Sequence, residues 1–251
     1  MPELPEVEIC ARELSAHLRG QTIRRIETPD NKIHLPRDLA GCRIKEIDRR
    51  GKFIIVQLED ERRILIHLGM TGWFVFRPPS KYRLALEVND GAAYFEDPRR
   101  FGKVRLVSAA QQEQLLAELG PEPLAPGFNL RHLKRTGRPI KVALQDQHLV
   151  AGVGNMYASE ALWRAHIHPK RPADRLADDE LRRLRKSIVY VLRKAIAYGP
   201  QIYEVQRFTV YRRKGEPCHR CQTPIERLVL GGRSAYFCPQ CQRFDRGSPR
   251  T

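Results

Sequence analysis

Met1-Pro2-Glu3-Leu4-Pro5-Glu6-Val7-Glu8 opens the chain, and the pattern that runs out of it decides the fold. Apolar positions continue from Leu4 through Val7, Cys10, Ala11, Leu14 and Leu18, a helical period that Gly20 ends, so a helix is expected over residues 4–19. Beyond Thr22 the period drops to two. Segments 44–47, 53–58, 64–68, 73–76, 84–88 and 104–107 read as strands, with Asn89-Asp90-Gly91 as a hairpin turn. A mostly antiparallel β-sandwich led by one helix follows.

The same eight residues carry a chemical possibility. Methionine before a small residue such as proline is expected to be removed, which leaves Pro2 as a secondary amine with Glu3 and Glu6 within reach. An amine beside an acid is what attack on a sugar carbon and an iminium intermediate require. An α-amine titrates at about 7.7–8.0 in model peptides, so a useful fraction is nucleophilic near neutrality. The alternative is structural: Pro2 and Pro5 stiffen the chain end and open the helix, proline being favoured in a first turn.

Residues 120–129, Gly-Pro-Glu-Pro-Leu-Ala-Pro-Gly-Phe-Asn, form a proline-rich break, after which the period is helical. The clearest helix spans about 179–197, with Leu181, Leu184, Ile188, Val191, Leu192 and Ala195 on one stripe and Gly199-Pro200 as its stop. Four of six cysteines form two pairs, Cys218-x-x-Cys221 and Cys238-x-x-Cys241, with about 16 residues between them. That spacing matches a four-thiolate zinc site, against the alternative of two redox dithiols. Cys10 and Cys42 are expected to be small buried hydrophobes. The expected organisation is an α+β chain: a β-sandwich lobe over 1–115, a linker over 116–130, a helical lobe over 131–213 and a zinc module over 214–246.

The formal charge of +16 and pI near 10.0 point to a polyanion partner. No stretch approaches the ~20 apolar residues of a membrane span, and the acidic N-terminus does not resemble a signal peptide. A cytoplasmic protein without a membrane partner is expected, its cysteines reduced or metal-bound.

Three further clusters bear on that partner. Gly152-Val153-Gly154-Asn155 precedes a helix, and such a turn lets phosphate approach unpaired N–H groups; Asn155 is expected either to cap the helix or to bond a phosphate. Arg99-Arg100-Phe101-Gly102 follows Asp97-Pro98 in a turn, suited to a wedge between stacked bases unless Phe101 folds into the core. Met70 in His67-Leu68-Gly69-Met70-Thr71-Gly72 reads as turn filler or as a pliable wedge, and Lys52 as a solvated charge or a phosphate contact. Between the cysteine pairs, Gly231-Gly232 turns a short hairpin whose tip carries Arg233, and a hairpin this small needs metal to hold it.

In this order, motifs at 1–8, 50–52, 67–72, 97–102, 120–124, 152–160 and 214–241 resemble the formamidopyrimidine-DNA glycosylase branch of the Fpg/endonuclease VIII family nearly end to end. Leu4 in Pro-Glu-Leu-Pro-Glu favours that branch over its endonuclease VIII relatives. The resemblance implies a bifunctional glycosylase/AP lyase of base excision repair, a monomer acting on damaged double-stranded DNA at the nucleoid and cutting by β,δ-elimination. The implied fold is a β-sandwich followed by a helix–two-turn–helix lobe and a zinc hairpin holding one structural zinc ion. Pro2 would attack C1′, Glu3 would serve as the acid and Glu6 would hold the N-terminus. Lys52, His67, Asn155 and Arg233 match phosphate-gripping positions, with Lys141 a further DNA-binding candidate. Met70, Arg99 and Phe101 match the trio that fills the stack.

One departure stands out. Family members carry a lesion-capping loop where only about ten residues, 199–208, remain here, without a Gly-Thr-Thr-like run. Lyase activity with altered base preference is therefore expected. Competing readings are a catalytically silent damaged-DNA binder of the same fold, an endonuclease VIII-like enzyme preferring oxidised pyrimidines or abasic sites, and an RNA-binding zinc-ribbon protein.

Overall fold

The structure, a computed structural model, describes residues 1–244 and divides into two compact units, Met1–Glu118 and the chain from Leu119 onward. Positions 245 and 246 of the expected zinc module lie outside the described residues.

In the first unit, helix α1 (Leu4–Leu18) has Pro5 in its opening turn and buries the stripe Leu4, Val7, Cys10, Ala11, Leu14 and Leu18. Gly20, at φ +77°, then reverses the chain, a conformation that glycine tolerates without a Cβ penalty. Eight strands follow: β1 (Ile23–Glu27), β2 (Ile44–Arg50), β3 (Phe53–Leu58), β4 (Arg63–His67), β5 (Trp73–Val75), β6 (Leu84–Val88), β7 (Gly91–Glu96) and β8 (Lys103–Val107). They pair antiparallel in two sheets, ordered β1-β6-β7-β5 and β2-β3-β4-β8. Inward positions of both sheets, among them Ile54, Val56, Ile64, Ile66, Leu84, Leu86 and Phe95, join the α1 stripe in one core. Asn89 and Asp90 make the expected turn, with Val88 opposite Gly91.

The periodic reading of this unit left β1, β7 and helix α2 (Ala109–Ala117) undelimited. For α2 a signal exists in Ser108-x-x-Gln111: the Ser108 hydroxyl accepts the Gln111 N–H, and the Gln111 side chain accepts the Ser108 N–H. Cys10 is buried, its thiol pushed up to about 12 by desolvation. Cys42 departs from expectation. It is only half-buried, with Sγ 3.1 Å from both Asp60 Oδ2 and Arg62 Nη2.

The second unit carries α3 (Ile140–Gln145), α4 (Asn155–Arg164), α5 (Asp178–Ile196), α6 (Ile202–Val205) and the antiparallel pair β9 (Glu226–Leu230) and β10 (Arg233–Phe237). Helix α5 buries Leu181, Leu184, Ile188, Leu192 and Ala195 as its spacing predicts, while Val191 is half-buried at the edge of the stripe. The proline-rich stretch is packed rather than loose. Gly120 N–H donates to the Gln147 carbonyl, and a Cβ on Gly120 would come within 2.6 Å of the His148 carbonyl oxygen. After α5 a 3-10 turn, Gly199–Gln201, leads straight into α6, whose Ile202 is fully buried. No described helix is long and apolar enough to cross a membrane.

Candidate active site and nucleic-acid interface

The chain end is folded in rather than frayed. Met1 is exposed, whereas Pro2 is buried and Glu3 and Glu6 are 1% and 0% exposed. Glu6 lies one turn into α1, and its Oε2 accepts the Glu3 N–H at 2.8 Å, satisfying a donor that the helix start leaves orphaned. Two carboxylates are thereby fixed next to residue 2. Glu8 bonds Arg49 Nε at 2.7 Å, and Arg49 Nη1 donates to the Gly51 carbonyl at 3.0 Å. Burial works against the Glu8 charge, but the guanidinium groups of Arg49 and Arg12 prevail and hold its carboxyl below the usual range. The Glu8–Arg49 tie pins the β2–β3 turn, which carries the buried Lys52, to α1. Nothing in the sequence pattern singled out this pair.

His67 closes β4 opposite Phe53, with the rings edge-on at 5.1 Å. Desolvation, with Lys52 and Lys103 nearby, pulls its imidazole down to about 4. The Gly69 N–H donates to Nδ1 at 3.1 Å, so the neutral ring carries its proton on Nε2 and presents a donor there.

Met70, 40% exposed, sits on the turn that follows, and Phe101, 50% exposed, on the β7–β8 turn with the Arg99 guanidinium 5.0 Å above its ring. Core burial of Phe101 is thus excluded. The two turns touch backbone to backbone: a Cβ on Gly69 (φ +69°) would lie 2.5 Å from Gly102 N and 2.6 Å from Phe101 C. Beneath them lies a buried ionic network that the sequence did not reveal. Asp97 Oδ2 accepts the Gly102 N–H at 2.7 Å and Arg83 Nη1 at 2.8 Å, while Oδ1 accepts the Thr71 hydroxyl at 2.5 Å. Arg83 also bonds Asp30, which takes Arg100 Nη2 at 2.5 Å and Nε at 3.0 Å. Arg100 and Arg83 together hold the Asp30 carboxyl far below its ordinary range.

The second unit assembles its own polar cluster. The Gly154 N-cap precedes Asn155, which is the first residue of α4, so Asn155 does not cap the helix. Its Oδ1 accepts from Lys141 Nζ, which also reaches the Ser234 carbonyl at 3.1 Å. Lys141 is fully buried, although a lone ammonium is costly to desolvate, and these oxygens offset that cost. Arg233 starts β10 beyond the Gly231-Gly232 turn, and its Nη1 donates to Gln145 Oε1 at 3.0 Å. Gln145 lies one turn beyond Lys141 on α3 and was not anticipated. The cluster therefore joins α3, the start of α4 and the hairpin: two cations, two amides and a helix N-terminus, an arrangement suited to a phosphate.

Sγ atoms of Cys218, Cys221, Cys238 and Cys241 all lie within 4.8 Å of one another, with pairs at 3.4 Å (Cys221–Cys238), 3.4 Å (Cys221–Cys241) and 3.9 Å (Cys218–Cys241). A zinc tetrahedron with bonds of about 2.3 Å has sulfur–sulfur edges of about 3.8 Å, so the donor set fits one structural zinc ion. Supporting donors are present. Trp163 Nε1 lies 3.4 Å from Cys218 Sγ, and the Cys241 N–H points at Cys238 Sγ.

Comparison with known proteins follows the same division. Residues 1–104 match the family model for the formamidopyrimidine-DNA glycosylase N-terminal domain, 119–207 that for its H2TH domain, and 215–243 that for a zinc finger found in FPG and IleRS. A formamidopyrimidine-DNA glycosylase of Thermus thermophilus is 44% identical over 264 aligned residues, covering 96% of this chain and 98% of the relative. The crystal structure of MutM (Fpg) from Thermus thermophilus superposes with a TM-score of 0.87 at 41% identity, covering 96% and 98% of the two chains. A complex between Lactococcus lactis Fpg and DNA containing an abasic site gives 0.87 at 34% identity, covering 96% and 100%. The 264 aligned positions exceed the 251 residues of this chain, so the Thermus relative carries segments with no counterpart here.

Proposed function

The chain belongs to the formamidopyrimidine-DNA glycosylase family, and from that premise we propose that it is a bifunctional DNA glycosylase/AP lyase that excises oxidised bases from duplex DNA. The observation that carries this reading is the buried start of the chain, with Pro2 beside two buried carboxylates under an exposed Met1. Removal of Met1 bares the Pro2 amine. Its lone pair attacks C1′ of the extruded nucleotide as the base departs with the glycosidic electron pair; the new ammonium then loses its proton, the C1′–O4′ bond opens as O4′ is protonated, and an iminium remains. Glu3 supplies and takes protons, Glu6 anchors the chain end through the Glu3 N–H, and successive β- and δ-eliminations cut the strand on both sides of the sugar.

The remaining residues grip and open the duplex. Lys52 and the Nε2–H of His67 hold backbone phosphates in the first unit, and Asn155 and Arg233 do so in the second, with the buried Lys141 adding its charge behind Asn155. Met70, Arg99 and Phe101 occupy the space of the extruded nucleotide and offset its unstacking. Zinc, when bound, supplies structure alone, because four thiolates fill its coordination sphere. The protein works as a monomer on damaged double-stranded DNA in the cytoplasm, at the nucleoid.

Base preference departs from long-loop relatives. Gly199–Gln201 and α6 occupy the interval where a capping loop would lie, which supports a lesion pocket with fewer hydrogen bonds to the base edge. Two measurements test the proposal. Borohydride reduction on an abasic duplex is expected to leave a covalent adduct at residue 2, in protein whose intact mass shows Met1 removed; processed protein that leaves no adduct is a silent DNA binder. Cleavage of duplexes bearing 8-oxoguanine, formamidopyrimidine, hydantoin, oxidised pyrimidine or an abasic site then ranks the lesions. A ranking equal to that of a long-loop relative rejects the pocket argument.

A further inference from the structure

Met70 and Phe101 are exposed on two turns whose backbones touch, one between β4 and β5 and the other between β7 and β8. An exposed methionine has three rotatable bonds, and a short surface turn deflects easily. A wedge that must displace a stacked nucleotide does work only if its parts keep their places, because the opposing cost is a few kcal/mol. Something has to lock the two turns together.

The lock is one carboxylate. Asp97 is 3% exposed, and its two oxygens face different turns. Oδ2 takes the Gly102 N–H at 2.7 Å, which closes the turn carrying Arg99 and Phe101. Oδ1 takes the Thr71 hydroxyl at 2.5 Å, next in sequence to Met70. Arg83 Nη1 braces the Phe101 turn, donating to Asp97 Oδ2 at 2.8 Å and to the Gly102 carbonyl at 2.9 Å. Through Asp30 the same arginine is connected to Arg100, which holds the left-handed conformation (φ +56°) in the middle of the turn. Gly69 completes the contact, since any Cβ there would strike the Phe101–Gly102 backbone.

We propose that Asp97 registers the Met70 turn and the Arg99–Phe101 turn as a single rigid wedge, which makes Thr71 and Arg83 positioning residues for nucleotide extrusion. This rests on the wedge role given to Met70, Arg99 and Phe101 above. It predicts a dependence on substrate. A base-paired lesion has to be pushed out of the stack; an abasic site in a gapped duplex presents no base to push. Loss of registration slows the first reaction and spares the second.

Thr71→Val keeps the side-chain shape and removes the hydroxyl, and Thr71→Ser keeps the hydroxyl. Single-turnover cleavage is measured with full-length, zinc-replete, Met1-processed protein on a duplex with a paired oxidised base and on the gapped abasic duplex. Thr71→Val is expected to slow excision of the paired lesion about tenfold while changing abasic cleavage less than about twofold, and Thr71→Ser to restore the rate. Equal slowing on both substrates, or no slowing on either, overturns the proposal. Phe101→Ala on the same pair separates the two levels of argument. If Phe101→Ala discriminates between the substrates and Thr71→Val does not, the wedge stands and registration by Asp97 is wrong. If neither discriminates, wedge and registration fall together. Arg83→Lys, which keeps the buried charge but loses the forked geometry, is expected to reproduce the Thr71→Val selectivity.

Discussion

The β-sandwich lobe and the zinc hairpin are held together by different physics. In the first, Leu14 and Leu18 of α1 meet Ile23, Ile44, Val56, Ile64, Leu84 and Phe95 from both sheets in one continuous apolar core. In the second, the buried cluster is Val210, Cys218, Ile225 and Cys238, and β9 is exposed or half-exposed at every position. Burial specifies the first; ligation must specify the second. The hairpin also presents Arg233, so in the function proposed above its DNA contact depends on a metal that takes no part in the chemistry.

The largest expected effect follows directly. Stripping zinc with a strong chelator, or replacing Cys238 by serine, removes stabilisation on the order of 10 kcal/mol from a module with little core of its own. Amide hydrogen exchange should become fast throughout residues 215–243 and remain slow in β3 and β4 of the sandwich. Duplex affinity should fall at least about tenfold as Arg233 loses its place on Gln145. Protection that survives in the metal-free hairpin would break the contrast.

The reverse experiment acts on the sandwich. Leu14 is fully buried at the centre of the α1 stripe, so Leu14→Ala is expected to destabilise that lobe by about 2–5 kcal/mol through lost transfer energy and the cavity left behind. Urea unfolding of the lobe should shift to lower midpoint while zinc retention at the hairpin is unchanged. A coupled loss of zinc would mean that the two regions are not separately held.

The same contrast explains what the sequence could and could not disclose. Period-two alternation found six strands of the sandwich, and the cysteine spacing marked the zinc site, because each is a local rule written in adjacent residues. Strands β1 and β7 escaped because their apolar positions are interrupted by charged or small residues, Arg24-Arg25 and Ala92-Ala93. Pro2, Glu3, Met70, Phe101 and Arg233 were legible as motifs. Their supports were not: Glu8 with Arg49 is separated by 41 residues, Asp30 with Arg100 by 70, and Arg233 with Gln145 by 88. No periodicity encodes a pairing over such distances. Asn155 shows the limit from the other side, since a residue type that favours capping was claimed instead by Lys141, buried beside it.

The smallest expected effect concerns pH and separates the two regions by proton count. His67 has an ordinary value of 6.5 and is pulled down to about 4 in the fold, chiefly by desolvation. The unfolded chain therefore binds this proton between about pH 6.5 and 4 while the folded lobe stays neutral, and the unfolded state binds more protons throughout that window. Stability of the sandwich should thus be insensitive to His67 above pH 6.5, decline as pH falls toward 4 with a slope of about one proton, and gain no further contribution from His67 below that. His67→Gln should flatten this part of the curve. Acid loss of the hairpin is expected to be steeper, because four thiolates are protonated as zinc leaves. Parallel pH titrations, following sandwich unfolding in the wild type and His67→Gln and zinc release by a chromogenic chelator, would resolve the two. An unchanged slope in the variant would assign the acid sensitivity of the sandwich to other groups and remove His67 from the comparison.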